Sequence, residues 1–280
     1  MKLWIIGKRG ILSSAMQRKC KEKGIDYVAT SRREVDLYQE EAIKSQFETL
    51  SFTHVINCAA YTAVDRAEEE EEKAHALNAR AIETLAKYAS SYGKKLIHFS
   101  TDYVFDGKEK GYGETAATAP LSIYGKSKES GEKLLKEHFA GACLIRTSWL
   151  FGKEGNHFVK TMIRLMQVRE VIGVVSDQWG RPTYADDLAE ATLTLLDASG
   201  TYHFANAGET TWHGFAEAIK KCLEEKNVSL KCQHVNPIST EDFGAKAKRP
   251  VSSILKTESF SPPHWEEGLE EVIRHALELK

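Results

Sequence analysis

The chain has little net charge: 38 basic and 40 acidic residues leave a formal −2 over 280 residues. No electrostatic case exists for nucleic acid or an anionic membrane surface as partner. No apolar run approaches the roughly 18 residues a membrane-spanning helix needs, and no basic-then-apolar leader opens the sequence. The five cysteines, Cys20, Cys58, Cys143, Cys222 and Cys232, form no C-x-x-C pair and no metal-ligand spacing. An odd count without a leader predicts reduced thiols, a cytoplasmic protein and no bound metal. Internal repeats and low-complexity tracts are also missing.

Regular alternation is present instead. Residues 2–6, 26–30, 54–58, 95–100 and 142–146 read as short apolar strands, with helical periodicity between them, as over 73–92. The pattern predicts an α/β fold with a doubly wound, mostly parallel, Rossmann-like sheet and a smaller C-terminal substrate-binding lobe. The expected division is a dinucleotide-binding domain over 1–150 and a mainly substrate-binding lobe over 151–280, with segments near 170–200 returning to the first. The acid block Glu68–Glu72 reads as a solvated loop or helix start.

The first strand runs into Gly7-Lys-Arg9-Gly10-Ile11-Leu12-Ser13 and then into a helix. Strand, glycine turn and helix are the parts of a dinucleotide cradle. Glycines let the backbone approach a pyrophosphate, and the helix start offers free N–H groups. After the second strand stands Ser31-Arg32-Arg33 instead of the acidic residue that usually holds an NAD ribose. NADPH is therefore the expected cofactor, with Arg32 as the phosphate contact and NADH as the lesser alternative. Solvated loop charges are the plainer reading of the same pair, and Glu34 nearby keeps it open. Asn78 is either a surface amide or a backbone clasp near the cofactor.

Tyr124 and Lys128 stand one helical turn apart, so both side chains share a face. A cation beside a phenol favours phenolate and lowers its pKa from near 10. Thr101 follows directly on strand four, and in such sheets ligands bind beyond the C-terminal strand ends. A hydroxyl, a phenol and an ammonium there suit carbonyl reduction: Thr101 positions the oxygen, Tyr124 protonates it, and Lys128 tunes Tyr124 and holds a ribose.

Longer strings carry a family resemblance. They are Asn57-Cys-Ala-Ala-Tyr-Thr-Ala-Val-Asp65, Ser100-Thr-Asp-Tyr-Val-Phe-Asp-Gly107, Tyr124-Gly-Lys-Ser-Lys128, Arg146-Thr-Ser-Trp-Leu-Phe-Gly152 and Arg249-Pro-x-x-Ser253. With these the chain resembles the dTDP-4-dehydrorhamnose reductase family of extended short-chain dehydrogenase/reductases, over nearly its whole length. The resemblance implies NADPH-dependent reduction of the 4-keto group of a nucleotide-activated deoxysugar, dTDP-4-dehydro-β-L-rhamnose, for surface polysaccharide synthesis. It places Gly10, Ile11 and Leu12 at the pyrophosphate, Asp36 and Leu37 at the adenine, and Ala59, Ala60, Tyr61 and Thr62 on the nicotinamide side. Gly7, Arg9, Ser31 and Asn78 complete the expected cofactor site. Thr101, Asp102, Val104, Phe105, Trp149 and Asn156 are the expected substrate contacts. Arg181 and Arg249 are candidates for the substrate diphosphate or, equally, for structural ion pairs, and Trp149 could instead be core. Some relatives use a Glu for a Mg²⁺-bridged dimer where this chain has Ala15, which implies a monomer or a metal-independent homodimer. The alternatives are another nucleotide-sugar epimerase or reductase, or a non-catalytic NADP-binding regulatory subunit.

Overall fold

The computed structural model describes residues 1–278. Five strands, β1 (Lys2–Ile6), β2 (Asp26–Thr30), β3 (His54–Asn57), β4 (Lys95–Thr101) and β5 (Cys143–Thr147), join a sixth, Gly200–His203, in one sheet. The spatial order is sixth strand, β5, β4, β3, β1, β2, and every pairing is parallel. The chain leaves β1 for β2 on one side and returns to β3 on the other. The loops after β1 and β3 therefore diverge, which opens a crevice at the C-terminal ends of these two strands.

Both faces of the sheet are covered, and for that reason its strands read as continuous apolar runs. Along β1, Leu3 and Ile5 face a cluster with Leu12, Met16, Ile97 and Leu188. Trp4 and Ile6 face the opposite cluster, with Phe47, Val55, Ile82, Leu85 and Leu144. Helix α1 (Ile11–Glu22) contributes Leu12 and Met16 to the first face. A further core gathers Phe151, Met166, Phe215, Ile219, Trp265 and Leu269 in the C-terminal half. There Val171–Val175 pairs in parallel with His234–Ile238, away from the main sheet, whereas Gly200–His203 pairs with β5 inside it.

The segment expected as one helix over 73–92 is broken by a π-turn. Helix Glu71–His75 passes into π-helical Ala76–Arg80 and then into helix Ala81–Ser91. The widened turn presents the Asn78 carbonyl to the helix Ile123–His138, and a Cβ at Gly131 would lie 2.0 Å from that oxygen. Helix 123–138 buries Tyr124, Lys128, Gly131, Glu132 and Leu135, a stripe at helical spacing. Its Ser122 cap accepts from the Gly125 N–H at 3.2 Å.

Candidate active site

The crevice is a cavity of about 1120 Å³ beyond the C-terminal strand ends. The turn after β1 supplies Gly7, Arg9, Gly10, Ile11 and Leu12 to its wall. The segment after β2 supplies Arg32, Asp36 and Leu37, and the loop after β3 supplies Ala59, Ala60, Tyr61 and Thr62. Thr101 and Asp102 at the end of β4, Tyr124 and Lys128, then Trp149 and Asn156 complete the expected set on this wall.

A dinucleotide fits the β1 end on two observations. Helix α1 starts at Gly10 with no side-chain cap and no acidic residue in its first turn, so its leading N–H groups are open to an anion. Gly7 has φ 98°, and a Cβ there would sit 3.3 Å from the Ala59 nitrogen, so a larger residue would fill the cradle. Arg9 and Arg32 add positive charge to the same stretch of wall. Arg32 is exposed; its guanidinium lies 4.8 Å from the Tyr38 ring centroid and 3.5 Å from Asp36.

At the β4 end, Lys128 is 2% exposed and its Nζ donates to the Phe99 carbonyl at 2.7 Å. Burial pushes its pKa down to about 8. Burial pushes the Tyr124 phenol up to about 12, against the opposing hydrogen bond from Thr101. This corrects the expectation of a phenol acidified by Lys128. The ammonium lies against Phe99 and His98, and loss of water around a phenolate dominates. Tyr124 therefore keeps its proton at neutral pH, as a proton donor requires. The Thr101 hydroxyl donates to Asp102 Oδ1 at 3.0 Å, and burial raises that carboxyl to about 7.

Six expected residues lie off the cavity wall. The Ser31 hydroxyl donates to Glu34 at 2.7 Å, a local loop contact. Asn78 receives the Tyr61 N–H at 2.8 Å and donates to the Tyr61 carbonyl at 3.0 Å, so it clasps the cavity loop from behind. Val104 and Phe105 are fully buried, with Phe105 stacked on Tyr112 at 4.1 Å. Arg181 donates to the Asn206 and Leu255 carbonyls, and Arg249 forms a paired contact with Asp65 at 2.7 and 3.1 Å. Each of these side chains holds the scaffold.

Glu70 is on the wall but was not among the expected residues. Glu70 accepts from Tyr61, Arg66 and Lys73, and these partners, Lys73 foremost, hold its carboxyl down to about 2. Arg66 lies in the short helix Val64–Ala67 and Lys73 in Glu71–His75, with Glu70 at the N-cap of the second, so these contacts form across a turn that the acid block did not reveal. Trp149 has φ 46°, unusual for a non-glycine residue, and stacks on Trp212 at 3.7 Å with its edge against Gly180. Its indole nitrogen has no protein partner.

A parallel sheet with an open helix N-terminus at its switch point, and a tyrosine–lysine pair at the mouth, defines a Rossmann-type dinucleotide-dependent oxidoreductase. Within that class, the chain belongs to the family described as the RmlD substrate binding domain, which it matches over residues 1–278. It is 35% identical to dTDP-4-dehydrorhamnose reductase of Shigella flexneri, over 98% of this chain and 97% of that protein. It is also 35% identical to the spore coat polysaccharide biosynthesis protein SpsK of Bacillus subtilis, over the same shares. A crystal structure of dTDP-4-dehydrorhamnose reductase from Bacillus anthracis in complex with NADP superposes with a TM-score of 0.91, at 39% identity and 98% coverage of both chains.

Proposed function

We propose that the protein catalyses NADPH-dependent reduction of the 4-keto group of dTDP-4-dehydro-β-L-rhamnose to give dTDP-L-rhamnose. The observation that carries this reading is the placement of Thr101, Tyr124 and Lys128 on the same wall as the open start of α1. NADPH held at the Gly7–Leu12 end of the wall would supply the hydride for the carbonyl carbon. Tyr124 gives its phenolic proton to the carbonyl oxygen, and Thr101 orients that oxygen. Lys128 stands behind them as the buried nitrogen of the site. Residues 1–150 are the dinucleotide-binding part in this reading, and residues 151–280 mainly the substrate-binding part. Among the described residues no helix is long and apolar enough to cross a membrane. A cytoplasmic monomer or metal-independent homodimer fits an enzyme of this type.

The test is NADPH oxidation against a panel of nucleotide 4-keto sugars, with Tyr124→Phe as control. Turnover should be greatest with the dTDP-4-keto-6-deoxy sugar. The variant should lose at least about 10²-fold in kcat while binding NADPH within about threefold of wild type. Turnover that survives the substitution would remove Tyr124 as the proton donor.

A further inference from the structure

Segment 64–70 leads into the acid block of the sequence, yet its acids are tied to three other parts of the chain. The Asp65 carboxylate accepts two donors from Arg249, at 2.7 and 3.1 Å, and the Ala247 N–H at 3.0 Å. Glu69 pairs with Lys246. Segment 246–249 is thereby fastened to the short helix Val64–Ala67. Glu70 accepts from the Tyr61 hydroxyl at 2.6 Å, which fastens the same segment to the cavity wall. Glu68 faces the third part. Its Oε1 accepts the Ile123 N–H at 2.9 Å, at the start of the helix that carries Tyr124 and Lys128.

The helix Ile123–His138 opens with N–H groups that no carbonyl of its own can reach. Ser122 takes that of Gly125 at 3.2 Å. Ser122 adjoins the helix and moves with it, so this bond shapes the helix start without locating it. Glu68 lies 55 residues earlier and does locate it. Elsewhere the helix meets stops: a Cβ at Gly125 would run into the Tyr103 carbonyl, and one at Gly131 into the Asn78 carbonyl. Stops limit approach but supply no hold. Segment 64–74 also backs the Tyr124 ring, since Ala67 and Ala74, both fully buried, cluster with it and Val64 packs alongside.

We propose that Glu68 is a positioning residue for Tyr124: from a segment braced by Asp65, Glu69 and Glu70, it holds the first N–H of the catalytic helix and so sets where the phenol stands. The proposal rests on the reading of Tyr124 as the proton donor. The hydrogen bond, and not the charge, is the agent. Glu68 is exposed, so solvent screens its field at the phenol, whereas the bond ends one residue before Tyr124.

The experiment compares Glu68→Ala, Glu68→Gln and Glu68→Asp in the full chain. Gln keeps the length and an accepting oxygen without the charge. Asp keeps the charge but, one methylene shorter, falls short of Ile123. Ala and Asp should each lose about tenfold in kcat, part of the roughly 10²-fold that a 1 Å misplacement costs. NADPH affinity should stay within about twofold and Tm within roughly 3 °C. Gln should keep kcat within about threefold of wild type. The solvent deuterium isotope effect on kcat should rise in the two slow variants, because a misplaced donor slows proton transfer, whereas a mere loss of folded enzyme leaves it unchanged. Amide hydrogen exchange at Ile123 should be slow in wild type and Gln, and fast in Ala and Asp. Glu68→Ala with kcat within about twofold of wild type, or a lowered kcat with an unchanged isotope effect, overturns the proposal. So does activity that follows the charge, kept in Asp and lost in Gln, and this contrast decides if the Ala variant does not fold. An unprotected Ile123 N–H in wild type overturns it without any substrate. Lack of turnover with every keto sugar would instead sink the functional reading, and exchange at Ile123 still decides whether Glu68 holds the helix.

Discussion

Replacing Gly125 by alanine sets two effects of opposite sign against each other. Alanine is favoured over glycine inside a helix by about 1 kcal/mol. Yet a Cβ at Gly125 would lie 2.3 Å from the Tyr103 carbonyl oxygen and 3.0 Å from Pro120 Cβ. Ordinary contact begins near 3.4 Å, so the helix start must retreat by roughly 1 Å. The obstacle is main chain in a tight turn, with the Tyr103 N–H held by Thr101 at 3.2 Å, and it cannot yield as a flexible side chain would. Overpacking against such an obstacle costs about 1–3 kcal/mol. The steric effect wins, and the net loss of stability is up to about 2 kcal/mol, or a fall in Tm of roughly 2–5 °C. The functional loss is larger in proportion. Tyr124 precedes the substituted residue and moves with it, and a displacement near 1 Å costs about 10²-fold in rate. Calorimetry and steady-state NADPH oxidation measure the two quantities on one preparation. A Gly125→Ala protein at least as stable as wild type, with kcat within about twofold, would show that the close approach of helix and turn does not place Tyr124.

Three other outcomes are expected. Arg32→Ala should weaken NADPH binding about tenfold, the value of one charge-assisted contact, and leave NADH within about twofold; calorimetric titration of both cofactors decides it, and equal losses would remove Arg32 as the 2′-phosphate contact. His157 and His203 are held neutral by burial, each brought down to about 4. The unfolded chain takes up those protons first, near 6.5, so their contribution is complete above that pH and is lost as the pH falls toward 4. The slope should be about 1.4 kcal/mol per pH unit for each histidine, read from urea midpoints, and His157→Phe should flatten it. Light scattering should give one oligomeric state with and without chelator, because Ala15 cannot ligate a metal; dissociation by chelator would count against this.

The sheet was legible because burial on both faces writes itself into the strands. Leu3 and Ile5 face one core and Trp4 and Ile6 the other, so β1 reads as an apolar run bounded by Gly7. At the cavity wall, a glycine turn directly after the first strand marked Gly7 and Gly10, whereas Ile11 and Leu12 were placed there only by the family resemblance. The π-turn at Ala76–Arg80 was not legible, because widening a helix by one residue per turn leaves the apolar spacing of Leu77, Ala81 and Leu85 almost unchanged. Arg249 could not be resolved from sequence either, since its partner Asp65 lies 184 residues away. Val104 and Phe105 share a string with Thr101 and Asp102, but the short helical turn Asp102–Val104 rotates them into a separate core with Tyr112 and Leu255. Adjacency in a motif placed them at the ligand; the turn decided otherwise.

Helix 123–138 and strand β5 bring two buried cations to the same end of the sheet, and their surroundings separate a structural charge from a poised one. Arg146 is 3% exposed and meets the Glu132 carboxylate with two donors, at 2.9 and 2.6 Å. This paired geometry neutralises it. Lys128 stands one turn before Glu132 on the same helix, yet both carboxylate oxygens are already engaged by Arg146. Its own neighbours, the Phe99 carbonyl and His98, carry no negative charge. An unpaired buried ammonium is costly, and the cost falls if the proton leaves. The Arg146–Glu132 pair thus leaves Lys128 as the group whose proton is loosely held. Replacing Arg146 by methionine should free Glu132 for Lys128 and raise the lysine's titration midpoint. If the midpoint stays where it is, the carboxylate was never within the lysine's reach and burial alone sets its value.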